Sequence, residues 1–242
     1  MAIEFIDEGD PAAVSIVAAI QSGDVDEARR LLTESPGLAS RYVRSAEGHG
    51  RSLIHILSDA PGHRPNRAEM LQVLLDAGAD VEARFVGPHD ETPLHWAASN
   101  DDVELLDALL DAGADIEAHG AVIGGGTPMA DATAFAQWKT AHRLLTRGAR
   151  TTFWQAATLG LMSRVTGEME ASSPPSPNEV THAFWGAVHG GQRPMAEYLL
   201  ELGADINWVG WDDLRPLDVA NRNHDHDFAT WLREHGAISV HR

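Results

Sequence analysis

A pair of apolar residues followed shortly by Gly-Ala recurs along the chain at nearly regular distances. The sequence Leu-Leu-Asp-Ala-Gly-Ala-Asp occupies residues 74–80 and again 109–115, and looser versions reach Ala149, Ala204 and Ala237. The alanines of successive Gly-Ala pairs lie 35, 35, 55 and 33 residues apart. An internal period of this length is typical of repeat proteins, in which each repeat is one small structural element.

A second recurring phrase carries the signals of a helix start. It reads Thr-Pro-Leu-His-Trp-Ala-Ala from Thr92, Thr-Pro-Met-Ala-Asp-Ala-Thr from Thr127, and Arg-Pro-Leu-Asp-Val-Ala from Arg215. Threonine caps a helix, and proline fits the first turn without loss of a hydrogen bond. The Leu-Leu pair predicts the buried face of a second helix, which the following glycine ends. Each repeat is therefore predicted to be a helix–turn–helix.

These phrases resemble the ankyrin repeat, and the resemblance covers about residues 11–238. It implies an all-α repeat solenoid, an ankyrin array of about seven helix–turn–helix repeats with β-hairpin fingers. The whole chain, 1–242, is then a single domain. Its approximate repeats are 11–45, 50–83, 84–118, 119–150, 151–177, 178–209 and 210–242.

Three irregularities interrupt the predicted array. Residues 61–67 are inserted between the two helices of the second repeat, and the segment Ala171–Pro177, rich in serine and proline, is a break after the fifth. The first-helix phrase that begins at Phe153 follows Ala149 almost at once, where a regular repeat would first place a hairpin. One hairpin is therefore predicted to be missing between repeats four and five.

The resemblance implies that ligands bind in a concave groove lined by the first helix of each repeat and by the fingers. Matching each repeat to the family pattern places these helix residues in the groove: Trp96, Ser99, Asn100, Asp131, Phe135, Gln155, Leu159 and His189. The fingers add Phe85, Val122, Ile123, Trp208 and Trp211. Apolar residues on solvated fingers typically mark an interaction site, and tryptophan is enriched at such sites.

Several tryptophans also have a purely structural interpretation. Four of them fall on helix positions that are predicted to pack between repeats: Trp138, Trp154, Trp185 and Trp231. Trp96 fits the groove and the core equally well, because an amphipathic ring is often only partly buried.

Asp131 is a weak candidate for acid–base chemistry, because it stands where the repeat usually has an apolar residue. In a groove beside Trp96 and Phe135, desolvation would raise its pKa. The alternative is a helix-surface carboxylate, or one bonded to the neighbouring glycine-rich finger. A lone acid without a visible partner is weak evidence for catalysis, so no other catalytic residue is predicted.

The histidines are better explained by structure than by catalysis. His55 and His95 match the histidine of the Thr-Pro-Leu-His phrase, and the resemblance implies that they support the loops by hydrogen bonds between repeats. His224 and His226 look superficially like metal ligands, but zinc requires three or four converging ligands. We therefore predict no metal and no cofactor.

Charge and composition exclude several classes of partner. The chain has 18 basic and 36 acidic residues, a net charge of −18, so it repels nucleic acid and anionic membranes. The nearest approach to a basic patch is a thin set of arginines at 143, 147, 150 and 164. The absence of cysteine excludes disulfides, thiolate zinc sites and cysteine nucleophiles.

The first ten residues are acidic and lack the basic start of a secretory signal, which predicts a cytoplasmic protein. Lys139 is the one lysine in an arginine- and alanine-rich chain, a composition that suggests a bacterial genome rich in G and C.

Two functions from different classes are compatible with this pattern. The first is a protein–protein interaction module that binds a protein partner through the groove and the apolar fingers, including a regulatory partner such as an antidote or assembly factor. The alternative is a small-molecule binding protein or an enzyme, with a Trp/Phe-lined pocket in repeats three to six and Asp131 as acid or base. Nothing in the sequence demands an enzyme, and the partner's identity and the oligomeric state stay open.

Overall fold

The computed structural model describes residues 3–240 and is mostly helical. The chain divides into two compact parts, Met1–Ala149 and Arg150–Arg242, which we name the first unit and the second unit. Within the described residues there are fourteen α-helices and one small sheet of three strands. This architecture is consistent with the predicted helical repeats.

The first unit contains eight helices and all three strands of the described sheet. Its helices are α1 Pro11–Ser22, α2 Val25–Glu34, α3 Leu53–Ser58, α4 Arg67–Asp76, α5 Pro93–Ser99, α6 Val103–Asp111, α7 Pro128–Ala134 and α8 Trp138–Thr146. Its strands are β1 Phe5–Asp7, β2 Tyr42–Arg44 and β3 Gly50–Ser52. Strand β2 pairs with β1 in parallel, Ile6 opposite Val43, and with β3 in antiparallel orientation, Val43 opposite Arg51.

The helices of the first unit form two layers that follow from their sequence. Helices α1, α3, α5 and α7 pack side by side, and α2, α4, α6 and α8 form the second layer. The first leucine of the recurring pair, Leu74 in α4 and Leu109 in α6, is fully buried, and the second is part-buried. The glycines that follow, Gly78 and Gly113, have φ of +93° and +96°, so they end α4 and α6 in a left-handed turn.

Only one of the predicted fingers in the first unit is a regular β-hairpin. Strands β2 and β3 form that hairpin between α2 and α3, whereas the next finger contributes a single bridge, Val86 to Gly50. The finger between α6 and α7 is a series of turns, in which Gly120, Gly124 and Gly125 have φ of +126°, +62° and +68°. Such dihedrals are incompatible with extended strands, which explains the difference from the predicted hairpin.

The insertion at residues 61–67 is tied to the helices on both sides of it. The backbone N–H of His63 and the Nε of Arg67 both donate to the carboxylate of Asp102, each at 2.7 Å, at the start of α6. On the other side, the amide of Asn66 donates to the backbone oxygen of Gly23 at 2.9 Å, at the end of α1. The insertion therefore links three successive helix pairs.

The second unit contains six helices, among which α11 is central. They are α9 Phe153–Thr158, α10 Met162–Met169, α11 Pro177–His189, α12 Arg193–Glu201, α13 Pro216–Arg222 and α14 His226–Glu234. Helix α11 packs against α9, α12 and α13 and buries Phe184 and Val188 in the core of the unit. Within residues 3–240, no helix combines the length and apolar character needed to cross a membrane.

Asp218 on α13 binds the chain that follows α14. Its Oδ2 accepts the backbone N–H groups of Arg215 at 3.1 Å and of Val240 at 3.0 Å. Its Oδ1 accepts the hydroxyl of Ser239. The segment after α14 is thereby held against the start of α13.

Candidate functional site

The finger between α4 and α5 contacts the rest of the first unit through aromatic rings. The ring of Phe85 lies 5.4 Å from that of Trp96 and 5.7 Å from that of His49, measured between centroids. Trp96 also meets His55 edge-on at 4.9 Å. Both Phe85 and Trp96 are half-buried, and these two predicted groove residues contact each other.

His55 and His95 support the fingers as the resemblance implied. Nδ1 of each ring bonds to the residue that caps its helix, Ser52 or Thr92. Nε2 then carries the proton and donates to a finger carbonyl, that of Glu91 at 3.1 Å for His55 and that of Gly126 at 3.3 Å for His95. Burial lowers the pKa of His55 to about 3 and that of His95 to about 4. Both rings are therefore neutral at pH 7.

Asp131 on α7, which the sequence placed in a groove beside Trp96 and Phe135, is fully buried. Both carboxylate oxygens lack a hydrogen-bond partner. Burial, reinforced by the charge of Glu91, raises the pKa of Asp131 to about 7, and the nearby backbone of Ile123 opposes this shift in part. The backbone of the finger residue Ile123 thus lies near the carboxyl, and burial favours the uncharged acid.

Glu91 is the acid next to Asp131 that the sequence did not reveal. Its side chain is buried, which raises its pKa, and the indole of Trp96 donates a hydrogen bond that lowers it. The charged group of Arg84 does not neutralise this pair, because it binds the backbone oxygens of Asp90 and His119. The first unit therefore buries two neighbouring acids, and among residues 3–240 the charge of nearby His89 lowers the pKa of Glu91 only in part.

The remaining candidates of the first unit divide into structural and exposed residues. Ser99 donates to the backbone of its own helix, and the amide of Asn100 donates to the carbonyl of Ser58 at 2.8 Å. Three apolar candidates are exposed by about two-fifths or more: Val122 by 40%, Ile123 by 42% and Phe135 by 44%. These three side chains are the most exposed of the predicted binding residues in the first unit.

The second unit carries a larger aromatic surface centred on Trp211. Its indole meets Trp154 at 5.4 Å, Trp185 at 5.0 Å and Trp208 at 5.6 Å, each edge-on, and His182 at 6.0 Å. Edge-to-face contacts at these distances are the favoured geometry of aromatic pairs. We name these five residues the tryptophan cluster.

The cluster holds Trp211 in place while leaving much of it accessible. Trp211 is 46% exposed, and Val209 on the same finger is 44% exposed. Trp185 lies beneath, 3% exposed, and its indole donates to the backbone oxygen of Leu214 at 2.9 Å. The ring of His182 stacks at an angle on Trp208, with centroids 4.5 Å apart. A large apolar side chain on a fixed support is the typical form of an interaction hot spot.

The other candidates of the second unit are buried. Gln155 accepts from the backbone N–H of Thr152 at 2.8 Å and so completes the cap of α9. Leu159 is 5% and His189 6% exposed, and the ring of His189 stacks near Trp185 at 5.4 Å. Their burial follows from their position in the tightly packed contact of α9 with α11, where Gly190 leaves no room for a side chain beside Thr158.

Sequence reasoning missed the contribution of His182, and it assigned Trp154 and Trp185 to packing alone. Trp185 is buried as predicted, but the same ring forms the floor below Trp211. Two glycines were the available signal: a Cβ on Gly186 would lie 2.6 Å from the indole of Trp154, and one on Gly210 would lie 2.6 Å from that of Trp185. Glycine, which has no Cβ, allows another side chain to approach the backbone closely at both positions.

The His-Asp-His-Asp segment at residues 224–227 has a structural role. Asp225 caps α14 by accepting the N–H of Phe228 at 3.0 Å, and His224 and His226 flank it at the surface. Across residues 3–240, no three His, Asp or Glu side chains converge in the manner of metal ligands.

Comparison with known families identifies one repeat. The ankyrin repeat model matches residues 89–121, which include α5, α6 and the Gly-Ala-Asp turn at Gly113. No curated protein matches the sequence. The matched segment contains both recurring phrases on a packed helix pair, so the chain contains an ankyrin repeat at residues 89–121.

Proposed function

We propose that this protein is a protein–protein interaction module whose main contact surface is the tryptophan cluster of the second unit. Ankyrin repeats generally mediate interactions between proteins. The observation that carries the proposal for this chain is the exposed ring of Trp211, fixed by three other tryptophans. A rigid aromatic loses little conformational freedom when a partner binds, so its burial contributes fully to affinity.

The proposed scaffold is the array of about seven repeats, in one cytoplasmic domain, with a hairpin missing between repeats four and five. The consecutive helix pairs α1–α2 to α13–α14 support the repeat number. Helix α8 ends at Thr146 and α9 begins at Phe153, which leaves too few residues for a hairpin between them. In the first unit, Val122, Ile123 and Phe135 form a second proposed contact area.

Nucleic acid and membranes are not proposed as partners. In the thin arginine set, Arg143 and Arg147 both bind Asp107, at 2.7 and 2.8 Å, and Arg147 also binds Asp111. Arg164 pairs with Glu168 at 3.1 Å. Arginines already paired with carboxylates gain less from a phosphate backbone.

A small-molecule or enzymatic function is the second candidate, favoured by one observation. A buried carboxyl with a pKa of about 7 is the kind of group that enzymes use as a general acid or base. Asp131 has no exposed surface, so this function requires the finger at residues 119–127 to move.

Photo-cross-linking tests the interaction surface. Benzoylphenylalanine at position 209, next to Trp211, is expected to cross-link a partner of protein size in the native host, because the exposed Val209 side chain lies on the proposed surface. The same group at Thr230, exposed on α14, is the matched control and is expected to give little product. Trp211→Ala is expected to weaken partner binding about 30-fold or more, as truncation of a hot-spot tryptophan does.

Native mass spectrometry of the isolated protein distinguishes the two candidate functions. The interaction module is supported if the protein retains a bound mass of protein size, and if Trp211→Ala abolishes this binding while Asp131→Asn does not. A Trp96→Ala variant shows whether the first unit contributes. Equal cross-linking from positions 209 and 230, or a retained metabolite-sized mass that Asp131→Asn abolishes, would reject the proposed surface.

A further inference from the structure

The turn that presents Trp211 has an unusual backbone. Asp212 and Asp213 follow Trp211 directly and have φ of +58° and +55°, in the left-handed region. Two consecutive non-glycine residues in this region are disfavoured, and such strain persists where the surrounding structure imposes it and is often associated with function. The strain here places two exposed carboxylates on the same turn as the exposed indole.

These carboxylates already attract one arginine of the chain. The guanidinium of Arg222 binds the carboxylate of Asp212 at 2.7 Å, and both side chains are well exposed. The carboxylate of Asp213, also exposed, lies on the same turn. The turn therefore offers negative charge beside an aromatic face.

The rings of the tryptophan cluster are suitable for a cation. Elsewhere in this chain two arginines lie over aromatic rings, Arg44 over Phe5 at 4.0 Å and Arg193 over Trp231 at 5.6 Å. Within residues 3–240, these are the two cation–π contacts, so no Lys or Arg of the described chain covers Trp211. Tryptophan is the best ring partner for a cation, and a planar guanidinium can stack on it while binding a carboxylate with its edge.

We propose that the tryptophan cluster binds an arginine side chain of a basic partner segment, with the guanidinium on the exposed face of Trp211 and Asp213 as its counter-charge. This inference rests on the proposed interaction function and specifies the partner's chemistry. The net charge of −18 favours approach of a basic segment over an acidic one. Arginine is preferred to lysine because its planar guanidinium can stack on the ring and donate hydrogen bonds to the carboxylate at the same time.

A pair of peptides that differ only in charge tests the proposal. The probes are acetyl-Gly-Gly-Arg-Gly-Gly-amide and the same peptide with citrulline, a neutral isostere, in place of arginine. The readout is the shift of the tryptophan indole N–H signals in ¹H–¹⁵N spectra, assigned through single Trp→Phe variants. The arginine peptide is expected to shift the signals of Trp211 and Trp208, and the citrulline peptide at the same concentration is expected to shift them at least threefold less.

Two matched Asp→Asn variants locate the counter-charge. Asp213→Asn keeps a residue that tolerates a positive φ, so the turn is preserved. This variant is expected to weaken binding of the arginine peptide at least threefold. Asp227→Asn, which changes the net charge equally on exposed α14, is expected to leave binding within a factor of 1.5.

Three outcomes would each overturn the arginine proposal. The two peptides could shift the indole signals equally, the two Asp→Asn variants could affect binding equally, or the Trp211 signal could stay unshifted at 10 mM arginine peptide. The cross-link from position 209 is independent of these results. If that cross-link forms while the arginine preference fails, the interaction surface stands and the partner chemistry proposed here is wrong.

Discussion

Replacement of Asp102 by alanine is expected to lower the free energy of unfolding by about 2–4 kcal/mol, because it removes the cap of α6 and a buried acceptor of Arg67, which keeps Glu104 as its second partner. The Asp102 side chain is 1% exposed and binds Arg67 at 2.7 Å. It also accepts the backbone N–H groups of His63, at 2.7 Å, and of Leu105, at 3.1 Å. The variant therefore removes the cap of α6 and the anchor of the 61–67 insertion together.

Urea unfolding followed by circular dichroism measures this effect, and hydrogen exchange locates it. The amides of His63 and Leu105 are expected to lose protection in Asp102→Ala. Asp26→Ala is the matched control, since Asp26 is exposed in the first turn of α2, and its expected effect is below about 0.5 kcal/mol. If the two alanine variants are equally stable, the insertion does not depend on Asp102.

Replacement of Asp131 by asparagine is expected to stabilise the protein at alkaline pH, by up to about 4 kcal/mol. In the unfolded chain this carboxyl has its ordinary pKa of 3.8, whereas in the folded protein burial and Glu91 raise it to about 7. An acid with a raised pKa binds its proton more tightly in the folded state, so stability falls as pH rises from 3.8 to 7. Above pH 7 the full cost of the buried charge is present.

The pH dependence distinguishes this effect from a simple packing change. Asparagine matches the shape of the protonated carboxyl. The variant and the parent protein are therefore expected to have about the same free energy of unfolding at pH 4, and the difference between them is expected to grow as the pH is raised towards 8.5. His95 is neutral throughout the upper part of this range, because its pKa is about 4. Asp26→Asn controls for the change in net charge. A stability difference that is constant from pH 6 to 8.5 would contradict the raised pKa, and urea midpoints at each pH measure it.

Local signals predicted the helices because they act over a few residues. The Thr-Pro and Leu-Leu phrases coincide with α5 and α6, since capping, proline and glycine act within one turn. Another local signal was overlooked: Thr152 and Gln155 form a capping box, in which the Gln155 amide completes the start of α9.

Contacts between residues distant in sequence were less predictable. Asp131 was recognised as unusual, but its neighbour Glu91 is 40 residues away and lies on a loop without regular structure. Likewise Trp208 and Trp211 were singled out on their finger, whereas the supporting Trp154 is supplied by another helix pair. A repeat pattern indicates which helix a residue occupies, but the paths of irregular fingers decide which side chains meet.

The bond between Asp218 and the segment after α14 has a consequence for engineering longer arrays. His55 and His95 each donate an N–H to a carbonyl of the following finger, while Asp218, a carboxylate, accepts from Val240 and Ser239. A consensus repeat grafted after α14 would bring a carbonyl oxygen against this carboxylate, and two acceptors repel. We therefore expect a repeat grafted after α14 to pack in register only when Asp218→His is introduced and the segment that Asp218 binds is removed.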